Sequence, residues 1–166
     1  MEDLFAGVDV STQGQKIVII DLEKRSVIYS DSINYDLDLP KYNTLNGVLK
    51  DTDFGVSESN PNMWIDSLHL LFERLKTSSD IIQSIKAISI AGQQHGLVAI
   101  DKDGNLAKST SKLWNDFSTT EECEILTKEI GGFEEMIHAV ANSQRTGYTA
   151  SKIYHMYRNE RELYEK

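Results

Sequence analysis

Three short apolar runs fill the first 36 residues, Leu4 to Val10, Lys16 to Leu22 and Ser26 to Asp36, parted only by Ser-Thr-Gln-Gly and by Glu23-Lys24-Arg25. Links this short cannot hold a crossover helix, so consecutive runs must pair antiparallel, and this end of the chain is predicted to be a three-strand meander. Residues 37–60 carry Asn, Gly, Asp and Ser with little periodicity, which predicts a long irregular loop. A helix follows: Asn60 can cap it, Pro61 suits its first position, and Trp64, Leu68, Leu71, Phe72 and Leu75 recur on one face up to an end near Lys76.

The second half alternates more. Ile85 to Ala91 is apolar enough for a buried strand, the polar turn Gly92-Gln93-Gln94-His95-Gly96 follows, and Leu97 to Ile100 is predicted to be a strand leading to a hairpin turn at Asp103-Gly104. A further strand is expected to end at Leu113-Trp114. Ser118-Thr119-Thr120-Glu121 has capping-box spacing and opens a helix through Ile130, which Gly131-Gly132 stops. Short helices are predicted over Phe133 to Val140 and from about Thr149 to Tyr157, with a charged helical tail over Glu160 to Lys166. With no repeat and no linker, the order gives an α/β fold, strands first and helices interleaved later.

At 166 residues the chain has the size of one ordinary domain. Its 40% apolar and 26% charged residues exclude a disordered or fibrous protein. Seventeen basic minus 26 acidic residues leaves −9, which repels a phosphodiester backbone and argues against nucleic acid as a partner. Nucleotides stay open, because they need only a few local donors. Cys123 is the single cysteine and no Asn-x-Ser/Thr sequon occurs, which fits a reducing, cytoplasmic setting in which the thiol is a core atom. Met1-Glu2-Asp3 is acidic where a signal peptide would be basic, and the aliphatic run Ile17 to Ile20 is far too short for a bilayer, so no membrane segment is expected.

Four segments could carry chemistry. In Asp9-Val10-Ser11-Thr12-Gln13-Gly14-Gln15-Lys16 a carboxylate ends a strand and a tight polar turn leads into the next. Such turns gather N–H groups, hydroxyls and a lysine around phosphate, and the carboxylate can hold Mg²⁺ through water; the same residues also make a plain hairpin. In Gly92-Gln93-Gln94-His95-Gly96 two amides and an imidazole can hydrogen-bond several hydroxyls, or the histidine can be a solvated turn residue. Trp114-Asn115-Asp116 sets an aromatic plate beside a carboxylate, suited to a sugar's apolar face and hydroxyls, although taken in isolation Trp114 is expected to be core. Arg145, Tyr148 and Lys152 form a fourth cluster whose long side chains are otherwise expected to be solvated or capping. Walker A, Rossmann, His-Glu-x-x-His and Gly-x-Ser-x-Gly patterns are all missing, which removes the strongest nucleotide, zinc and serine-hydrolase signals.

Taken in this order, the segments resemble the N-terminal part of the FGGY family of carbohydrate kinases, and within it the xylulose kinases. The resemblance rests on Gly7-Val8-Asp9-Val10-Ser11-Thr12 with Lys16, on Ala91-Gly92-Gln93-Gln94-His95-Gly96, on Trp114-Asn115-Asp116 followed by Thr119-Thr120-Glu121-Glu122-Cys123, and on Thr146-Gly147-Tyr148-Thr149-Ala150-Ser151-Lys152-Ile153. It implies a ribonuclease H-like, actin-like ATPase fold, with residues 1–166 forming an incomplete N-terminal domain and a C-terminal nucleotide domain lying outside them. It further implies ATP and Mg²⁺ as cofactors, a ketopentose, first of all D-xylulose, as substrate, and D-xylulose 5-phosphate as product; a homodimeric full-length enzyme is compatible with it.

Position by position, the resemblance puts Asp9 near Mg²⁺ and the γ-phosphate, and Ser11, Thr12 and Lys16 along the phosphates. It puts Gln94 and His95 on the ketose hydroxyls, and Trp114, Asp116 and Arg145 around the sugar. Many relatives have Gly at Ser11, Arg at Phe117 and Pro at Ser151. The family's aspartate general base falls beyond Lys166, so no catalytic base is assigned and the segment alone is expected to be inactive. Rival classes are a non-catalytic sugar-binding or regulatory module, a ribonuclease H-like nuclease, which the acidic charge disfavours, and an actin-like assembly protein.

Overall fold

A computed structural model describes residues 3–78 and 80–166. They divide into two compact units, one built from the residues up to Lys50 with Asn60–Gln93, the other from Asp51–Ser59 with Gln94–Lys166.

In the first unit the meander forms as expected. Strands β1 (Leu4–Val10), β2 (Gly14–Asp21) and β3 (Ser26–Asn34) pair antiparallel, and β7 (Ile85–Gly92) adds parallel to β1, giving the order β3-β2-β1-β7. Alternation buries Leu4, Ala6 and Val8 of β1 with Ile17 and Ile19 of β2. Helix α2 (Pro61–Ser78) covers that face, its Met63, Leu71 and Leu75 fully buried in one cluster with Ile33 and Tyr35. Trp64, Leu68 and Phe72, placed on the buried stripe by their spacing, flank this line and are partly buried. The Asn60 Oδ1 accepts the Asn62 N–H and caps the helix.

Several expectations need correction. β3 stops at Asn34, whose side chain accepts the Leu37 N–H and starts the one-turn helix α1 (Tyr35–Asp38). Residues 37–60 are ordered: β4 (Thr44–Leu45) and β5 (Val48–Leu49) form a small hairpin and β6 (Glu58–Ser59) pairs with β8 (Ser111–Lys112). β7 is not buried, for Ile88 is 48% and Ile90 60% exposed. It is one of the two edge strands of the sheet, hydrogen-bonded to β1 alone among the described strands.

The second unit keeps β8 and the helices α3 (Thr120–Glu129), α4 (Phe133–Val140), α5 (Thr149–Asn159) and α6 (Arg161–Tyr164). Leu97–Ile100 is reduced to single bridges, Leu97 to Lys112 and Ile100 to Leu106, around a turn whose Asp101 Oδ1 accepts the Asp103 and Asn105 N–H groups. β8 ends at Lys112 because the chain turns at once, the Asp116 N–H donating to the Leu113 carbonyl. The capping box does not form. Thr119 is the N-cap but turns its hydroxyl to the Ser151 hydroxyl, 2.9 Å away, and the Thr146 carbonyl. The C-terminal stop forms as expected, the Gly131 and Gly132 N–H groups donating to the Lys128 and Thr127 carbonyls.

This unit is built on polar contacts. Among its described residues the buried apolar side chains are Ala107, Leu113, Met136 and Met156, while Ser59, Ser111, Lys112, Asp116, Thr119, Glu122, Ser151 and Lys152 are buried and polar. Glu122 clasps α3 to α5 by accepting from Arg158 Nη1 at 3.0 Å and Asn159 Nδ2 at 3.2 Å. No described helix is long and apolar enough to cross a membrane.

Candidate functional site

The β1–β2 turn gathers the phosphate candidates. Residues 11–14 form a tight turn closed by the Ser11 N–H on the Gly14 carbonyl, and the register sets Asp9 opposite Lys16 across the hairpin. Asp9, Ser11 and Lys16 are exposed. The Ser11 hydroxyl donates to Asp9 Oδ2 at 2.7 Å and orients it. Behind the turn, the buried Tyr35 hydroxyl donates to the Ser11 carbonyl at 3.2 Å, and burial pushes its pKa far above the ordinary value, so it stays a donor.

The formerly featureless loop braces this turn. Asp36 accepts from the Thr44 hydroxyl at 2.7 Å and from the Asn46 and Gly47 N–H groups, bonds that outweigh burial and hold its carboxyl below the usual range. The bend so fixed presses Gly47, at φ +77°, against the hairpin, where a Cβ would stand 1.8 Å from the Thr12 carbonyl oxygen. Because β1 and β7 are parallel, Val10 and Gly92 end side by side, and Gln93 joins the turn: its N–H donates to the Val10 carbonyl and its Oε1 accepts from Thr12 Oγ1 at 3.2 Å. Its buried Nε2 has no hydrogen-bond partner among the described residues. Carboxyl ends of parallel strands are where α/β sheets receive ligands. Gln93 was visible in the sequence as part of its turn, but its tie to Thr12 spans 81 positions and has no local signal. The exposed Asp9 carboxylate suits an ion held through water, and no described group of three acidic, His or Cys side chains forms a cage.

The second unit gathers the sugar candidates. His95, Trp114, Phe117, Arg145, Thr146, Gly147 and Tyr148 line a cavity of about 490 Å³. Gln94 lies next to it in sequence and is exposed. The His95 and Tyr148 rings pack against each other with centroids 4.5 Å apart and planes tilted by 36°, and the Arg145 guanidinium lies 6.0 Å from the Tyr148 ring. Gly147 belongs here because its backbone meets the Trp114 carbonyl so closely that a Cβ would lie 2.3 Å from that oxygen. Trp114 is 51% exposed, an open aromatic plate and not a core residue. His95 holds φ +62°, strained for a residue with a Cβ.

Asp116 differs from its neighbours. It is fully buried and its oxygens accept from the Ser57 N–H at 2.8 Å, the Ser118 N–H at 3.0 Å, the Ser118 hydroxyl at 2.6 Å and Lys112 Nζ at 3.4 Å. It holds the loop that presents Trp114 and Phe117 and does not line the cavity. Cys123 is half-buried, and burial raises its thiol pKa, which favours the protonated thiol over the thiolate. It lines a wider, open groove of about 640 Å³ with Glu124, Thr127 and Gln144, whose lining includes none of the predicted site residues.

Residues 4–166 match the FGGY family of carbohydrate kinases, N-terminal domain. The chain belongs to that family. This FGGY domain is 36% identical to the xylulose kinase of Schizosaccharomyces pombe over 98% of its own length and 32% of the relative's, and 30% identical to that of Rattus norvegicus over 95% and 33%. It therefore spans about a third of the length of these relatives. Among solved structures, a xyloylose kinase from Brucella ovis superimposes with a TM-score of 0.81 at 24% identity, covering 98% of this chain and 31% of that one. The likeness gives the FGGY domain the actin-like ATPase fold.

Proposed function

We propose that this FGGY domain carries the sugar site and part of the phosphate site of an ATP-dependent kinase that phosphorylates a primary hydroxyl of a ketopentose, D-xylulose first. The observation that carries the proposal is the cavity at His95, Trp114, Arg145 and Tyr148: one apolar plate and three convergent polar side chains, the make-up of a sugar site. That the similar proteins of Schizosaccharomyces pombe and Rattus norvegicus are xylulose kinases favours xylulose among ketoses. Trp114 stacks under the sugar, His95 and Gln94 hydrogen-bond its hydroxyls, Arg145 closes the rim, and Asp116 fixes the loop. On the hairpin, Ser11, Thr12 and Lys16 take the phosphates, and Asp9 would hold Mg²⁺ through water, the ion supplying charge stabilisation to the γ-phosphate. Such transfer depends on positioning and charge stabilisation more than on covalent chemistry, which suits residues held by turns this tightly braced. The setting is cytoplasmic, where ATP is supplied.

The test is coupled ADP release by the longest polypeptide that carries this domain, with a panel of ketoses and polyols. D-Xylulose is expected to give the highest kcat/KM. Absence of sugar-dependent ADP release with every member overturns the proposal and leaves the sugar-binding module.

A further inference from the structure

Lys152 was expected to be solvated; it is 1% exposed. It sits in the first turn of α5, where the helix dipole disfavours a cation, and burial pulls its pKa down to about 8. A methionine would fill such a place with less penalty. Its ammonium donates at 2.6 Å to the His95 carbonyl and at 2.7 Å to the Gly147 carbonyl. These two carbonyls belong to the loops that deliver the paired rings: His95 itself, in its left-handed conformation, and Tyr148, the neighbour of Gly147. The helix bearing the lysine is fixed in turn by Ser151, whose hydroxyl meets Thr119 and the Tyr148 carbonyl.

We infer that Lys152 is a positioning residue of the sugar pocket: by tying the His95 carbonyl to the Gly147 carbonyl it sets the His95–Tyr148 ring pair in the geometry that receives the ketose. It touches no substrate. The inference rests on the sugar-site proposal for its consequence, but its structural half stands apart.

Both halves are read in one pair of measurements on the 166-residue chain. In the unmodified protein the His95 ring C–H resonances, assigned by their loss in His95→Gln, are expected to lie upfield because the Tyr148 ring shields them. In Lys152→Met they are expected to move downfield toward exposed-histidine positions while the amide signals of β1 and β2 stay in place. D-Xylulose binding, measured by calorimetry, is expected to weaken about tenfold or more, and Lys152→Arg, which keeps two or more donors, to recover part of it. Unchanged His95 resonances in a folded Lys152→Met overturn the inference, and so do displaced resonances with undiminished D-xylulose affinity. If the unmodified protein binds no ketose, the sugar-site proposal fails and the resonances alone decide the role of Lys152. Should Lys152→Met not fold by circular dichroism, Lys152→Gln, whose shorter arm reaches one carbonyl, takes its place with the same outcomes.

Discussion

Asp116 and Lys152 are two buried charges that the sequence places beside the sugar candidates, and neither fate is local. The motif Trp114-Asn115-Asp116 announces a plate and a carboxylate together. Which of them faces the ligand depends on the Ser57 N–H, 59 positions upstream, and on the Lys112 ammonium. Replacing Asp116 by Ala leaves the Ser57 N–H unpaired and takes one counter-ion from Lys112. We expect a loss of roughly 3–5 kcal/mol in urea denaturation, far more than a surface carboxylate gives up. Lys152 yields a prediction along the pH axis. Asp116 and Lys112 act on it from its surroundings, the first raising and the second lowering its pKa, and Lys108, His155 and Glu160 line the small space beside it. Its folded pKa, about 8, lies below the ordinary 10.5, so between these values the unfolded chain holds the proton and the folded one does not. Stability therefore rises with pH through that window, and the penalty is fully present below pH 8. The stability of the protein relative to Lys152→Met is expected to improve by on the order of 2–3 kcal/mol from pH 7 to pH 10.5. A flat difference would contradict the buried ammonium.

Elements with their own periodicity and stop signals were legible: the meander, the helix capped at Asn60, and the helix stopped at Gly131-Gly132 all stand where the sequence puts them. Those whose shape depends on a distant partner were not. Residues 37–60 show no period because their order comes from Asp36 gathering Thr44, Asn46 and Gly47, and from β6 finding β8 more than 50 positions away. The capping box failed because the hydroxyl of Ser118, its capping residue, donates to Asp116 and accepts from Lys112 instead. The brace on the β1–β2 turn is therefore testable at one glycine. Gly47→Ala meets both a left-handed backbone and the Thr12 carbonyl, which cannot move without opening the hairpin. A destabilisation of roughly 2–4 kcal/mol is expected in urea, with amide exchange faster at Ser11 to Gly14. A change below about 0.5 kcal/mol, the range of neutral surface substitutions, would mean that the small hairpin gives no support.

At the scale of the whole chain the charge of −9 and the α/β order were plain from composition and pattern, and the family followed from four motifs in register. What pattern could not supply is the division between the two units: one with an apolar core and the hairpin proposed to take phosphate, the other with a polar interior and the cavity proposed to take the sugar. That division decides the behaviour of the 166-residue polypeptide by itself. A sugar hydroxyl attacking a phosphoryl group needs its proton taken by a positioned base, which in protein kinases is a carboxylate. The described lining of the cavity offers His95, Arg145 and Tyr148 but no carboxylate, since Asp116 is buried and its oxygens are taken. The polypeptide is accordingly expected to bind D-xylulose in calorimetry and to release no ADP from ATP and Mg²⁺ in its presence. Binding with no turnover fits a sugar site that awaits its base from outside these residues. Turnover abolished by His95→Gln would instead make the imidazole the base, and the lining sufficient as it stands.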